Sequence, residues 1–157
     1  MWPNENPRAN VESNFQLCFS VNVWCAVLDE QLIGPFILEG RLGGEAYLRF
    51  LQEELPRLLE DLPLNKRGLI YFQHDGAPPH FSREVRNLLN YHFPGRWIRR
   101  GSPHNWPARS PDLSPLDYCI WGWMKELVYS VKVGMRAALL DHILDAADHI
   151  RNSQQKL

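Results

Sequence analysis

The residues with the clearest chemical potential begin where an apolar run stops. "GLIYFQH" reads as a buried strand, and it is followed at once by Asp75, Gly76, Ala77, Pro78, Pro79 and His80, a carboxylate held in a stiff turn. Ligands of open α/β sheets gather at the carboxyl ends of strands, which is where Asp75 falls. A second acid, Asp117, lies in the first turn of a helix opened by Pro115 after the proline-rich stretch "GSPHNWPARSPDLSP". A fold that sets this helix beside the Asp75 strand would join two carboxylates. Such groups are hard oxygen ligands for Mg2+ or Mn2+, and two ions so held can activate a nucleophile and stabilise the leaving oxygen in phosphodiester chemistry. Plainer roles suit the same residues. Asp75 before Gly76 makes an Asx turn, and on chemistry alone that reading comes first. Ser114 and Asp117 match a capping box. His74, Asp75 and His80 invite a zinc reading, but no third strong ligand has the proper spacing.

Charge is distributed unevenly. The 157 residues carry a formal net charge of −1, so attraction to nucleic acid must come from local patches. Acids dominate positions 29–61, whereas 81–111 hold Arg83, Arg86, Arg96, Arg99, Arg100 and Arg109 against Glu84 alone. These arginines form either a phosphate-facing track or an ordinary solvated face. A composition 45% hydrophobic and 22% charged, with six tryptophans, is that of a folding chain. Cys18, Cys25 and Cys119 form neither a disulfide framework nor a metal knuckle, which suits core thiols in a reducing compartment. No run approaches the length of a membrane span and no leader is visible, so a soluble protein is expected, and no motif points to a small-molecule substrate.

The elements that must position the two acids follow from periodicity. Residues 17–28 alternate as a strand, "DEQLIG" turns, and "GPFILEG" resumes an apolar run, predicting an antiparallel hairpin. Tyr47, Leu51, Leu55, Leu58 and Leu62 have helical spacing, interrupted by Pro56. Residues 69–72 predict a strand buried on both faces. Ser82 predicts an N-cap for a helix that turns Val85, Leu88, Leu89 and Phe93 inward. "RWIRR" suggests a short strand, 101–115 an irregular ordered loop, and 135–150 an amphipathic helix with Leu139, Ile143, Ala147 and Ile150 on one face. The sum is one α/β layered domain with a mixed sheet, comprising a core over 1–130 and a C-terminal helical segment over 131–157.

The blocks "HDGAPPHFSREVRNLLN" and "RWIRRGSPHNWPARSPDLSPLDYCIWGWMKELVY", with "ENPR", "VNVWCAVL" and "LIGPFILEG" upstream, resemble the catalytic domain of mariner-type transposases of the DDE superfamily. The resemblance covers nearly the whole chain. It implies a ribonuclease H-like mixed sheet flanked by helices, in which three acids bind two divalent metals, Mg2+ or Mn2+, that cut DNA strands and join them to a target. By position, Asp75 matches the second acid and Asp117 the third, with 41 residues between them; Asp112 does not match. Arg99 stands where relatives commonly have glycine. The strand that carries the first acid has no match here, and Glu5, Glu12 and Asp29 do not replace it. Since that strand is central in the family, the sheet is expected to lack its middle. The resemblance further implies DNA as partner, a homodimer or a full-length transposase as possible company, and a nuclear location, though no basic import cluster is visible. The reading that results is a transposase remnant or fragment, incapable of cutting alone. The alternatives are a non-enzymatic module that binds nucleic acid or protein through the inherited surface, or the product of an incomplete gene model of an active transposase.

Overall fold

A computed structural model describes residues 20–99, 102, 104–105 and 114–153. Cys18, Arg100, Trp106, Arg109 and Asp112 therefore lie outside the described residues.

The hairpin forms from β1 (Asn22–Leu28) and β2 (Gln31–Leu38), paired antiparallel. Its turn is shorter than the sequence suggests. Only Asp29 and Glu30 connect the strands, with Asp29 at a left-handed φ of 53° that a short polar side chain tolerates. The register slips between Trp24 and Ala26, opposite Gly34. There glycine is required, because φ is +87° and an added Cβ would stand 2.9 Å from the Trp24 carbonyl oxygen.

The following helix shows how Pro56 is accommodated. α1 (Gly44–Arg49) widens into a π turn over Phe50–Glu54 before α2 (Leu55–Leu58), so the Leu55 N–H reaches back five residues to the Phe50 carbonyl. Proline lacks a donor and crowds the carbonyl four residues before it, and the wider turn absorbs both effects without ending the helix.

The expected strand over 69–72 is corrected. After Pro63 the chain makes α3 (Leu64–Arg67), and β3 is only Phe72–Gln73. Leu69 and Tyr71 are exposed, so the strand is not buried on both faces. The physical reason lies in the sheet. β3 pairs in parallel with β4 (Trp97–Arg99), which pairs with β5 (His104–Asn105), a two-residue strand inside the stretch read as irregular. This sheet does not join the hairpin. Among the described residues β1 has a partner only in β2 and β3 only in β4, which leaves one open edge on each.

Both sheets nevertheless share one apolar layer. Trp24, Phe36 and Leu38 of the hairpin and Phe72 and Trp97 of the second sheet pack with Tyr47, Phe50, Leu51 and Leu55 and with α4 (Arg83–His92) through Val85 and Leu89. A second core on the hairpin receives α5 (Trp121–Val128) and α6 (Arg136–Ser153), whose stripe Leu139, Ile143, Ala147 and Ile150 is buried as the spacing predicts. Cys25 is in this core, where burial pushes its thiol up to about 12 against the opposing influence of Arg151, but Cys119 is exposed and is not a core thiol. No helix among the described residues is long and apolar enough to cross a membrane.

Ser82 caps α4 as expected, its hydroxyl oxygen accepting from the Val85 N–H at 3.2 Å. Ser82→Ala should lower stability by about 1 kcal/mol in urea unfolding. Ser82→Asp, which keeps an acceptor at that position, should lose much less.

Candidate active site

Asp75 sits two residues beyond β3. The His74 N–H still bonds to the Ile98 carbonyl at 3.3 Å, so the ladder with β4 carries the chain to the site and then lets it go. The Asx turn forms: Asp75 Oδ1 accepts from the Ala77 N–H at 3.0 Å. Pro78 and Pro79 then enter a 3-10 turn over Pro78–Phe81, closed by the His80 N–H on the Ala77 carbonyl at 3.0 Å. Proline suits its start, where no donor is needed.

The turn folds His80 back over the acid. Its Nδ1 lies 2.6 Å from Asp75 Oδ1. The His80 contact, followed by the Ala77 N–H, holds the Asp75 carboxyl down at about 2 against the opposing effect of partial burial. Asp75 is thus ionised throughout the ordinary pH range. Its side chain is 65% exposed, so one oxygen is tied down and the group remains open to solvent.

Behind the acid stands a stack of rings. His80 packs at 4.2 Å on Tyr47 and at 5.0 Å on His74, the two imidazoles being almost parallel at 10°. Face-to-face imidazoles cannot converge their nitrogens on one ion. Among the described residues no group of three or more His, Cys, Asp or Glu could hold a metal, and the zinc reading is dropped. His74 is buried, contacts the Tyr47 hydroxyl through Nδ1 at 3.4 Å, and has no partner for Nε2. Burial, then the charges of His80 and Arg99, hold its imidazole down at about 3, with Asp75 opposing.

Asp117 lies in the first turn of a π-helical segment, Leu116–Ile120, that leads into α5, with Pro115 before it as predicted. The capping box does not form. Among the described residues the exposed Asp117 carboxylate has no hydrogen-bond or ion-pair partner. Leu116 packs with Val21 and Val23 on the hairpin core, whereas Asp75 borders the other core. Among the described residues neither carboxylate belongs to a group of three or more His, Cys, Asp or Glu able to hold a metal. Each offers open hard oxygens suited to Mg2+ or Mn2+. Neither of two surface clefts, one apolar between the π turn, α2, α3 and α4 and one beside Arg41 and Arg136, is lined by Asp75 or Asp117.

The arginines divide. Arg83 is exposed on α4. Arg96 is partly buried and donates to the Ile70 carbonyl at 3.0 Å. Arg86 lies over the Phe81 ring at 4.9 Å. Arg99 is 2% exposed, which is contrary to a phosphate-facing position. Sequence reasoning singled out His80 and Arg99 but not as partners of the Asp75 turn, and it missed Tyr47; the two prolines between Asp75 and His80 were the signal for the first.

The described residues thus form an α/β fold with an ionised, solvent-open acid just beyond a strand end. The comparisons specify it further. The chain is 28% identical over 139 residues to the "Transposable element Tc3 transposase" of Caenorhabditis elegans, covering 87% of this chain and 39% of that protein. It therefore spans well under half the length of this relative. Solved structures of the Mos1 mariner transposase catalytic domain share the fold. One with Raltegravir and Mn superposes with a TM-score of 0.57 at 20% identity, covering 87% of this chain and 78% of that one. Another with Raltegravir and Mg gives 0.58 at 22% identity, covering 87% and 71%. No protein-family model matches the chain. The chain is thus similar in sequence to part of the Tc3 transposase and has the fold of the Mos1 transposase catalytic domain.

Proposed function

We propose that these residues form part of a DNA-transposase catalytic domain, with Asp75 as one carboxylate ligand of a divalent-metal site and Asp117 as another. The observation that carries this reading is Asp75 itself: an ionised, solvent-open carboxylate at a strand end, with one oxygen pinned by Ala77 and His80. Mg2+ or Mn2+, when bound, would supply the activation of a nucleophile and the stabilisation of a leaving oxygen. The chain's own residues supply placement. The Asx turn and His80 keep the carboxylate in one orientation, and Tyr47 and His74 wall the inner side of His80 against water.

DNA is the partner that fits this reading, met through exposed arginines such as Arg83, and a nucleus is where such a protein would work. The 157 residues contain matches to two of the three acids of the family pattern, and the open edges of β1 and β3 are where the strand bearing the other would pair. Alone, the chain should hold metal weakly and not nick DNA. Mn2+ should broaden the NMR signals of the Gly76 and Ala77 amides, and Asp75→Asn should abolish that broadening while leaving the melting temperature within a few degrees. Broadening that persists in Asp75→Asn would remove Asp75 from the site. Nicking of supercoiled DNA by the purified chain, lost in Asp75→Asn, would overturn the expected inactivity.

A further inference from the structure

We infer that Arg99 is a positioning residue for Asp75, acting through the Pro78–Phe81 turn. This rests on the metal-site reading of Asp75, but its geometry stands independently of any metal.

A four-residue 3-10 turn ends with backbone carbonyls that have no partner inside it. Arg99 reaches that end from β4. Its Nη1 donates to the His80 carbonyl at 3.0 Å, and its guanidinium lies over the Phe81 ring at 4.2 Å. One side chain thus holds the last two residues of the turn, by a charge-assisted hydrogen bond to one and a cation–π contact to the other. A cation at the carboxyl end of a helical turn also opposes its dipole favourably.

Arg99 is itself held firmly. Its N–H donates to the Ser102 hydroxyl oxygen at 3.0 Å, that hydroxyl donates back to the Arg99 carbonyl at 2.9 Å, and the side chain is almost wholly buried. A long, flexible side chain loses most of its freedom here, so the turn is tied to the end of a sheet strand rather than to another loop.

The connection to the acid runs through one residue. Fixing the His80 carbonyl fixes its backbone, and the ring it carries is the one stacked on Tyr47 and set 2.6 Å from Asp75 Oδ1. The Ala77 N–H and His80 hold the same carboxylate oxygen, and the His80 N–H bonds back to the Ala77 carbonyl, so the turn that Arg99 ties down links both groups. Without Arg99 the turn keeps its prolines but loses its attachment to β4, and His80 is free to leave the acid. Groups that orient a metal ligand from behind typically change metal affinity by 10–100-fold when removed, and Arg99, one step further out, belongs at the low end of that range.

The test uses Arg99→Met, which keeps length and apolar stem, and Arg99→Lys, which keeps a charge and one donor. Two readouts are made on each folded variant: the ring-current shifts of the His80 ring protons without metal, and Mn2+ affinity from broadening of the Ala77 amide. Arg99→Met should collapse the His80 ring shifts and weaken Mn2+ about tenfold, and Arg99→Lys should restore the shifts and most of the affinity. If Arg99→Met does not fold, Arg99→Lys still decides: a His80 ring displaced to the same extent as in unfolded chain despite the retained charge overturns the inference. Unchanged ring shifts in Arg99→Met overturn it, and so do changed shifts with unchanged Mn2+ affinity. Absence of Mn2+ binding in the wild type would instead count against the metal-site reading, with the ring shifts still deciding whether Arg99 places His80.

Discussion

Tyr47→Ala should lower unfolding free energy by about 3–5 kcal/mol, the usual cost of emptying a buried aromatic site, read as a shift in the urea midpoint without a change in slope. Tyr47 is 1% exposed and sits where the fold and the site meet. Its ring packs on Phe50 at 6.1 Å within the layer shared by both sheets, and on His80 at 4.2 Å beneath the acid. Removing it opens a void between α1 and the 3-10 turn that stiff prolines prevent from closing. Tyr47→Phe keeps the packing and loses the hydroxyl's contacts to His74, long at 3.4 Å, and to Trp24, so its cost should be near 1 kcal/mol. Burial and then the negative charge of Asp75 push the Tyr47 phenol up, so it stays protonated and neutral at any pH where the chain is folded. A Tyr47→Ala variant as stable as wild type would mean that the shared layer does not hold the two sheets together.

The same junction shows what the sequence could and could not reveal. The stripe Leu139, Ile143, Ala147 and Ile150 and the Ser82 cap were legible, because helical period and capping are local properties of a chain. The strand over 69–72 was read too long, because its real length is set by α3 before it and by an edge with no neighbour, neither of which is written in four apolar residues. Asp75 could be singled out from its place at a strand end. Its partners could not, since His80 reaches it only through the fold of a 3-10 turn. Arg99 was the hardest residue to read. In a run of arginines it looks like surface, and only the approach of β4 to the 78–81 turn turns its side chain inward.

His74 should make stability fall steeply with acid, well before Asp75 is titrated. Its imidazole has an ordinary value of 6.5 and is held at about 3 in the folded protein, chiefly by burial. A depressed folded value means that the unfolded chain binds the proton more readily. The contribution is therefore complete above pH 6.5 and is lost as pH falls from there toward 3, with a slope of about 1.4 kcal/mol per pH unit from this one group. Between pH 6 and 4 the loss should be roughly 2–3 kcal/mol. Asp75 acts in the same direction but lower down: its stabilising effect is present above the ordinary 3.8 and disappears only as pH falls through about 2. The two windows barely overlap, so a pH series of urea midpoints separates them. His74→Phe, which fills the space with an apolar ring beside Phe72 and Trp97, should flatten the slope between pH 6.5 and 3 while leaving the Asp75 loss toward pH 2 in place. An undiminished slope in His74→Phe would show that the proton is taken up elsewhere, and that His74 is not the buried neutral wall behind Asp75.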